Sequence, residues 1–216
     1  VKKRIALLGP PASGKGTQAD MLCSKFGLNS ASPGAILREQ KKAGTPLGVE
    51  AHKLTSQGQL LPDEIIVGVV REWLLKHDGE FVFDGFPRTL GQADGLERLL
   101  VERGTPLEAA FSLEVSEEVV RDRVERRLMC SNCGHVVRIG LHVQSTDAPC
   151  PRCGHQTLHR RSDDSAESLP RRLSEYRAKS EPLVSYYSER GILTVVDANR
   201  AASEVFETIA GVLQSK

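Results

Sequence analysis

The sequence predicts an α/β fold, a parallel sheet covered by helices on both faces, and three features carry that expectation. Short apolar runs alternate with segments of helical periodicity along most of the chain. A Gly/Pro-rich turn joins the first apolar run to the first helix. Two segments, 32–61 and 128–162, break the alternation and read as insertions. A chain of 216 residues fits one domain with insertions.

The elements follow in order. Residues 3–8 form a short strand that stops at Gly9, and residues 16–26 a helix closed by Gly27. Residues 28–30 make a short second strand. Residues 34–43 and 45–57 read as two helices, with Gly58 as a stop signal. Pro62, Asp63 and Glu64 open a helix whose apolar positions Ile65, Ile66, Val69, Val70, Trp73 and Leu74 keep helical spacing. Residues 81–83 are a buried strand ending at Asp84, residues 91–103 a helix and residues 109–115 a strand. Ser116 caps the helix that carries Arg121, Arg123 and Arg127. After the Cys-containing stretch, helical character returns over 167–190 despite Pro170 and Pro182. Residues 192–196 are the last strand and 201–214 the last helix.

Composition excludes several classes. With 39% apolar residues and a formal charge of +1, the chain is not disordered and lacks the basic excess of a polyanion binder. Nineteen Gly and eleven Pro do not repeat, which excludes collagen-like chains. No apolar run approaches the roughly 18 residues of a membrane span, and the run after Arg4 is too short for a signal peptide. These observations predict a cytoplasmic protein with neither membrane nor nucleic-acid partner.

The Gly9-Pro-Pro-Ala-Ser-Gly14-Lys15-Gly16-Thr17 run lies between a strand and a helix. That context is the one a phosphate-binding loop needs. Backbone N–H groups at the turn cradle phosphate oxygens, and Lys15 adds a positive charge. Gly16 stands where a Ser or Thr usually holds Mg²⁺, so that ligand is missing or moved to Thr17. Asp84, at the end of an apolar strand, is the natural carboxylate behind a hydrated Mg²⁺. The alternative is a Gly/Lys turn with no ligand.

With Gly9 to Gln18 and Asp84-Gly-Phe-Pro-Arg-Thr89 in view, the sequence resembles the adenylate kinases among the nucleoside-monophosphate kinases. The resemblance runs from residue 5 to about residue 212. It implies a doubly wound core of five parallel strands, residues 1–31, 62–127 and 163–216. It also implies a helical insertion closing over the monophosphate (32–61) and a lid closing over ATP (128–162). By the same resemblance, Ala12, Ser13, Gly14, Lys15, Gly16, Thr17, Arg123, Arg127 and Arg200 bind ATP. Pro33, Arg38, Gln59, Leu60, Leu61, Gly85, Phe86, Pro87, Arg88 and Gln92 bind AMP, Gln92 at the edge of adenine. Arg161 and Arg172 converge on the phosphates when the lid closes, and Asp163 and Asp164 resemble the acidic pair after it. Lys15, Arg88, Arg127, Arg161 and Arg172 form the implied catalytic set. The implied substrates and products are ATP, AMP and ADP, handled by a monomer.

The family usually has threonine and aspartate at Pro33 and Ala35, and glycine at Ala12. Pro33 offers neither a hydroxyl nor an N–H, which puts base selectivity in question and keeps a GMP, CMP or UMP kinase as the alternative. The arginine-rich set suits phosphoryl transfer, which runs on positioning and charge neutralisation.

Cys130-x-x-Cys133 and Cys150-x-x-Cys153 are separated by 16 residues, a spacing that fits tetrahedral Zn²⁺. Four thiolates leave no open position, so the metal is structural. Two disulfides, or iron, are the competing readings. A zinc-ribbon nucleic-acid binder is the reading from another class, but residues 130–160 contain no Phe, Tyr or Trp to stack on bases. Cys23, on a helix among apolar residues, reads as core.

Overall fold

The computed structural model describes residues 1–56, 61–77, 79–161, 164–165 and 167–215. Five parallel strands form the central sheet: β1 (Arg4–Leu8), β2 (Asn29–Ala31), β3 (Phe81–Asp84), β4 (Ala109–Glu114) and β8 (Leu193–Asp197), in the order β2-β3-β1-β4-β8. The register is continuous: Ile5 faces Val82 on one side and Ala109 on the other.

Two-residue alternation along the strands sends side chains to opposite faces. Ile5, Leu7, Val82, Phe111 and Leu113 pack with Leu22 of α1 (Lys15–Phe26) and with Val205, Ile209 and Leu213 of α9 (Ala202–Gln214). On the other face, Phe81 and Phe83 meet Val70 and Leu74 of α4 (Asp63–Lys76) and Leu96 and Leu100 of α5 (Leu90–Glu102). Ala6, Leu8 and Ala110 complete that face against Leu183 and Tyr187 of α8 (Pro182–Glu189). The expected two-sided covering is therefore present, and β1, β3 and β4 supply both cores.

The segment between β2 and α4 folds into α2 (Pro33–Lys42) and α3 (Pro46–Ser56). Their close approach depends on Gly48, where a Cβ would lie 2.3 Å from the backbone nitrogen of Lys41. After β4 comes α6 (Glu117–Arg126), capped by the Ser116 hydroxyl as the sequence predicts. The chain then forms a second, antiparallel sheet from β5 (Arg127–Cys130), β6 (Val136–Arg138) and β7 (Leu158–His159), in the order β6-β5-β7. These strands have four, three and two residues, too few for alternation to register in the sequence.

Residues 167–190 are not one helix. α7 (Ser168–Glu175) passes into a wide π turn at Tyr176–Ser180, closed by Glu181 N–H donating to the Tyr176 carbonyl at 2.9 Å, before α8 starts at Pro182. Pro182 lacks the N–H to continue the earlier helix but suits the first position of the next. Among the described residues, no helix is long and apolar enough to cross a membrane.

Candidate active site

The site is built on the carboxyl edge of the central sheet, where the loops after β1 and β3 meet, the expected place for a ligand in an open α/β sheet. At the end of β1 the backbone turns at Gly9 with φ 137°. A Cβ there would lie 2.7 Å from the Leu113 carbonyl and 2.9 Å from Ser13 Oγ, so only glycine fits. Ala12 takes φ 58°, a left-handed conformation that costs a non-glycine residue roughly 1 kcal/mol. Gly14 caps α1 without a side-chain hydrogen bond, which leaves the first-turn N–H groups facing the loop for an anion.

Lys15 folds back into this loop. Its Nζ donates to the Gly9 carbonyl at 2.8 Å, to the Pro10 carbonyl at 2.7 Å and to Ser13 Oγ at 3.2 Å. Burial pushes its ammonium down to about 7; Asp84 opposes the shift, while Arg88, Arg172 and Arg127 add to it. Asp84 Oδ2 would lie 3.3 Å from a Cβ on Gly16, so the carboxylate stands directly over the start of α1. A side chain at Gly16 would press on this carboxylate.

Arg127, Arg172 and Asp164 form one cluster. The Asp164 carboxylate, whose side chain is fully buried, accepts from Arg127 Nε at 2.6 Å and from Arg127 Nη2, and from Arg172 Nη1 at 2.9 Å. It thus holds two arginines, from β5 and α7, side by side. Arg161 lies just ahead, its carbonyl accepting from Asp164 N–H at 3.0 Å. Arg123 is bound to the loop itself, donating to the carbonyls of Ala12 (3.3 Å), Ser13 (3.2 Å) and Ala198 (2.7 Å). Arg200 is exposed and pairs with Asp197.

The β3–α5 loop carries Gly85, Phe86, Pro87 and Arg88, with a cis Phe86–Pro87 peptide. Arg88 Nε donates to the Gly85 carbonyl at 2.8 Å. A Cβ on Gly85 would touch both Lys15 Cε (3.3 Å) and Arg88 Nη2 (3.4 Å), so lysine and arginine flank the same point. Gln92, only 2% exposed, accepts from Arg88 N–H at 2.8 Å and donates to Asp63 Oδ1 at 2.9 Å. Pro33 is buried at the first position of α2, and the Arg38 guanidinium folds back to Gly34. Leu61 is buried with Leu37, Ala51 and Val69, and Gln59, Leu60 and Asp163 lie outside the described residues. Asp63 is the partner that sequence reasoning missed. Its position reads as an ordinary acidic first turn of α4, and its partners Thr89 and Gln92 are 26 and 29 residues away.

The four cysteine sulfurs lie within 4.8 Å of one another. Cys130 Sγ is 3.6 Å from Cys153 Sγ, and Cys133 Sγ is 3.7 Å from Cys150 Sγ. A tetrahedron with Zn–S bonds of ~2.3 Å has edges of ~3.8 Å, which these two pairs match. Gly134 (φ 70°) and Gly154 (φ 75°) make the tight turns expected after each second cysteine. The Thr157 hydroxyl, followed by the N–H groups of Cys133 and Asn132, draws the Cys130 thiol below its ordinary value. Cys23 is half-buried against the main core, and burial pushes its thiol up to about 11, in keeping with a packing role.

The adenylate kinase family model matches residues 7–192. The chain belongs to the adenylate kinase family. It is 39% identical over 215 residues to an adenylate kinase of Thermodesulfovibrio yellowstonii, covering 99% of this chain and 100% of that one. It is 42% identical over 212 residues to an adenylate kinase of Syntrophotalea carbinolica and 39% identical over 212 residues to one of Methanosarcina barkeri. Each of these two alignments covers 97% of this chain and 98% of the relative. An adenylate kinase is a nucleoside-monophosphate kinase, and the reaction of this one is ATP + AMP to two ADP, with Mg²⁺ accompanying ATP.

Proposed function

We propose that the ATP phosphates sit on the Gly9–Gly14 loop and the start of α1, that AMP lies between α2, Leu61 and Gln92, and that the γ-phosphoryl group moves between them beside Arg88. The observation that supports this is Lys15 and Arg88 flanking Gly85 beside the loop, with Asp84 over Gly16 and with Arg127 and Arg172 held together on Asp164. Phosphate oxygens would replace the loop carbonyls around Lys15 Nζ and draw Arg127 and Arg172 from their shared carboxylate. Arg161 would join them from the lid, residues 128–162, as it closes. Arg123 fixes the loop on which ATP rests, and Arg38 is placed to meet the phosphate of AMP. Asp84 would face the Mg²⁺ brought by ATP, through water. No general base is needed, because the acceptor phosphate is already an anionic nucleophile. The remaining work is to position two polyanions and keep water out.

The four cysteines fit a closed zinc site, and we assign them one structural Zn²⁺. Reduced thiolates of this kind need a reducing compartment, which supports a cytoplasmic location. The monomer remains the reading taken from the family resemblance.

AMP as the preferred acceptor rests on Gln92, because Pro33 and Ala35 contribute no side-chain hydrogen bond to the base. In a coupled assay with AMP, GMP, CMP and UMP, AMP is expected to give the highest kcat/KM by at least about 10-fold. A higher value with GMP, CMP or UMP would replace this reading by that of another monophosphate kinase.

Lys15 gives the pH dependence. With its pKa near 7 in the free protein, it is mostly neutral at higher pH. Bound phosphates stabilise the ammonium and raise that value, so the complex carries the extra proton. Binding therefore takes up a proton above pH 7 and weakens as pH rises further; well below pH 7 both states are protonated and the linkage vanishes. Calorimetric titration with ATP at about pH 8.5, in buffers of different ionisation enthalpy, should read an uptake approaching one proton, absent in Lys15→Met. Equal heats in the buffers for the unmodified protein would contradict it.

A further inference from the structure

We propose that Asp63 is a selectivity-determining residue of the monophosphate site, locking the Gln92 amide in the one orientation that reads adenine. The inference rests on Gln92 being the residue that meets the base, and it adds what fixes that residue's hydrogen-bonding sense.

A glutamine amide has an acceptor end and a donor end that can exchange by rotation. Here both ends face groups that tolerate only one choice. The Arg88 backbone N–H can only donate, so it holds Oε1 at 2.8 Å. The Asp63 carboxylate can only accept, so it holds Nε2 at 2.9 Å. Asp63 is itself held by the Thr89 hydroxyl, which donates to Oδ2 at 2.8 Å while its oxygen accepts from Gln92 N–H at 3.0 Å. The carboxylate also lies close to the first turn of α5. It sits against Gly91, where a Cβ would come within 2.5 Å of Oδ2.

Each amide end uses one bond inside the protein and keeps one lone pair or one N–H for a ligand. Adenine offers a donor at its 6-amino group beside an acceptor at N1. A 6-oxopurine offers the reverse, an acceptor at O6 beside a donor at N1. A freely rotating amide can satisfy either order, whereas a locked one satisfies only the first and leaves the other base facing like groups. Discrimination of this kind is large because the mismatch strands buried polar atoms. Pro33 and Ala35 add no hydrogen-bonding side chain of their own, so the lock on Gln92 carries the selection between purines.

The test measures kcat/KM for AMP and for IMP, with thermal melts, in Asp63→Ala, Asp63→Asn, Gly91→Ala and Gln92→Leu. Asp63→Ala removes one anchor of the amide. Gly91→Ala leaves Asp63 in the sequence but displaces its carboxylate, and carries the test if Asp63→Ala does not fold. In each, the AMP:IMP ratio is expected to fall at least about 5-fold, chiefly through KM. Asp63→Asn should restore most of it, since its Oδ1 can still accept from Gln92. An unchanged ratio in Asp63→Ala and Gly91→Ala, with Gln92→Leu altering it, would overturn the lock alone. An unchanged ratio in Gln92→Leu would overturn the reading of Gln92, and the lock with it.

Discussion

Arg88→Ala is expected to lower kcat by about 10³–10⁵ while leaving the fold intact. The two parts of that expectation come from different atoms of the same residue. The main chain of Arg88 is fixed at both ends: its N–H donates to Gln92 Oε1 at 2.8 Å, and its carbonyl accepts from Ser180 Oγ at 2.8 Å. Neither contact involves the side chain, so truncation leaves the junction of α5 with the π turn in place. The guanidinium lies over Gly85, against the same point that Lys15 approaches, and serves charge instead. A planar fork of donors at the transferring group is worth most in the transition state, where charge spreads over the equatorial oxygens. The loss should therefore fall on kcat more than on KM, with the melting temperature within a few degrees of the unmodified protein. Arg88→Lys should recover little, since an ammonium cannot bind two oxygens in parallel. Single-turnover kinetics beside a thermal melt decide it, and near-normal kcat in Arg88→Ala would remove this residue from the reaction.

The fold was legible in the sequence wherever the signal was local. The strands of the central sheet are runs such as Phe81–Asp84, buried on both faces, and the phosphate loop announces itself because Gly9, Gly14 and Lys15 must lie within a few residues to make one turn. The spacing of the cysteine pairs was legible for the same reason. Contacts between distant segments were not. The Asp63 carboxylate reaches Thr89 and Gln92 only because α4 and α5 pack closely, a closeness that Gly95 permits by presenting no Cβ to Val67 Cγ2 at 2.8 Å. The short strands around the cysteines were invisible because the turns dominate their composition. The π turn at Tyr176–Ser180 was hidden because Pro182 suits both a helix start and a break, and only the packing of α8 on the sheet shows which.

Those short strands lead to the second large effect. Removing the Zn²⁺ proposed for the four-cysteine site is expected to unfold residues 128–162 selectively and to lower kcat by at least about 100-fold, with the central sheet retained. The buried cluster of this segment is Leu128, Cys130, Val137, Val143, Cys150 and Leu158. Two of those six are themselves candidate ligands, so what remains without a metal is four buried apolar side chains, with Ile139 and Ala148 partly buried against them. Strands of four, three and two residues cannot hold a sheet on so little burial. Four thiolates gathered within 4.8 Å also repel one another unless a cation sits among them. The consequence for catalysis follows from the chain path. Arg161 follows β7, so the collapse of this sheet unfixes it, whereas Arg127, at the end of α6, keeps its bonds to the Asp164 carboxylate. Arg172, on α7, keeps its hold on Asp164 and should not be affected. A site without the lid proposed for this segment also admits water, so residual turnover should shift from transfer toward ATP hydrolysis. Chelation followed by metal quantification, limited proteolysis and the coupled assay tests each step. Cleavage should concentrate within 128–162 and added Zn²⁺ should reverse it. A verified metal-free protein with full kcat and unchanged proteolysis would show that the cysteines stabilise nothing the reaction needs.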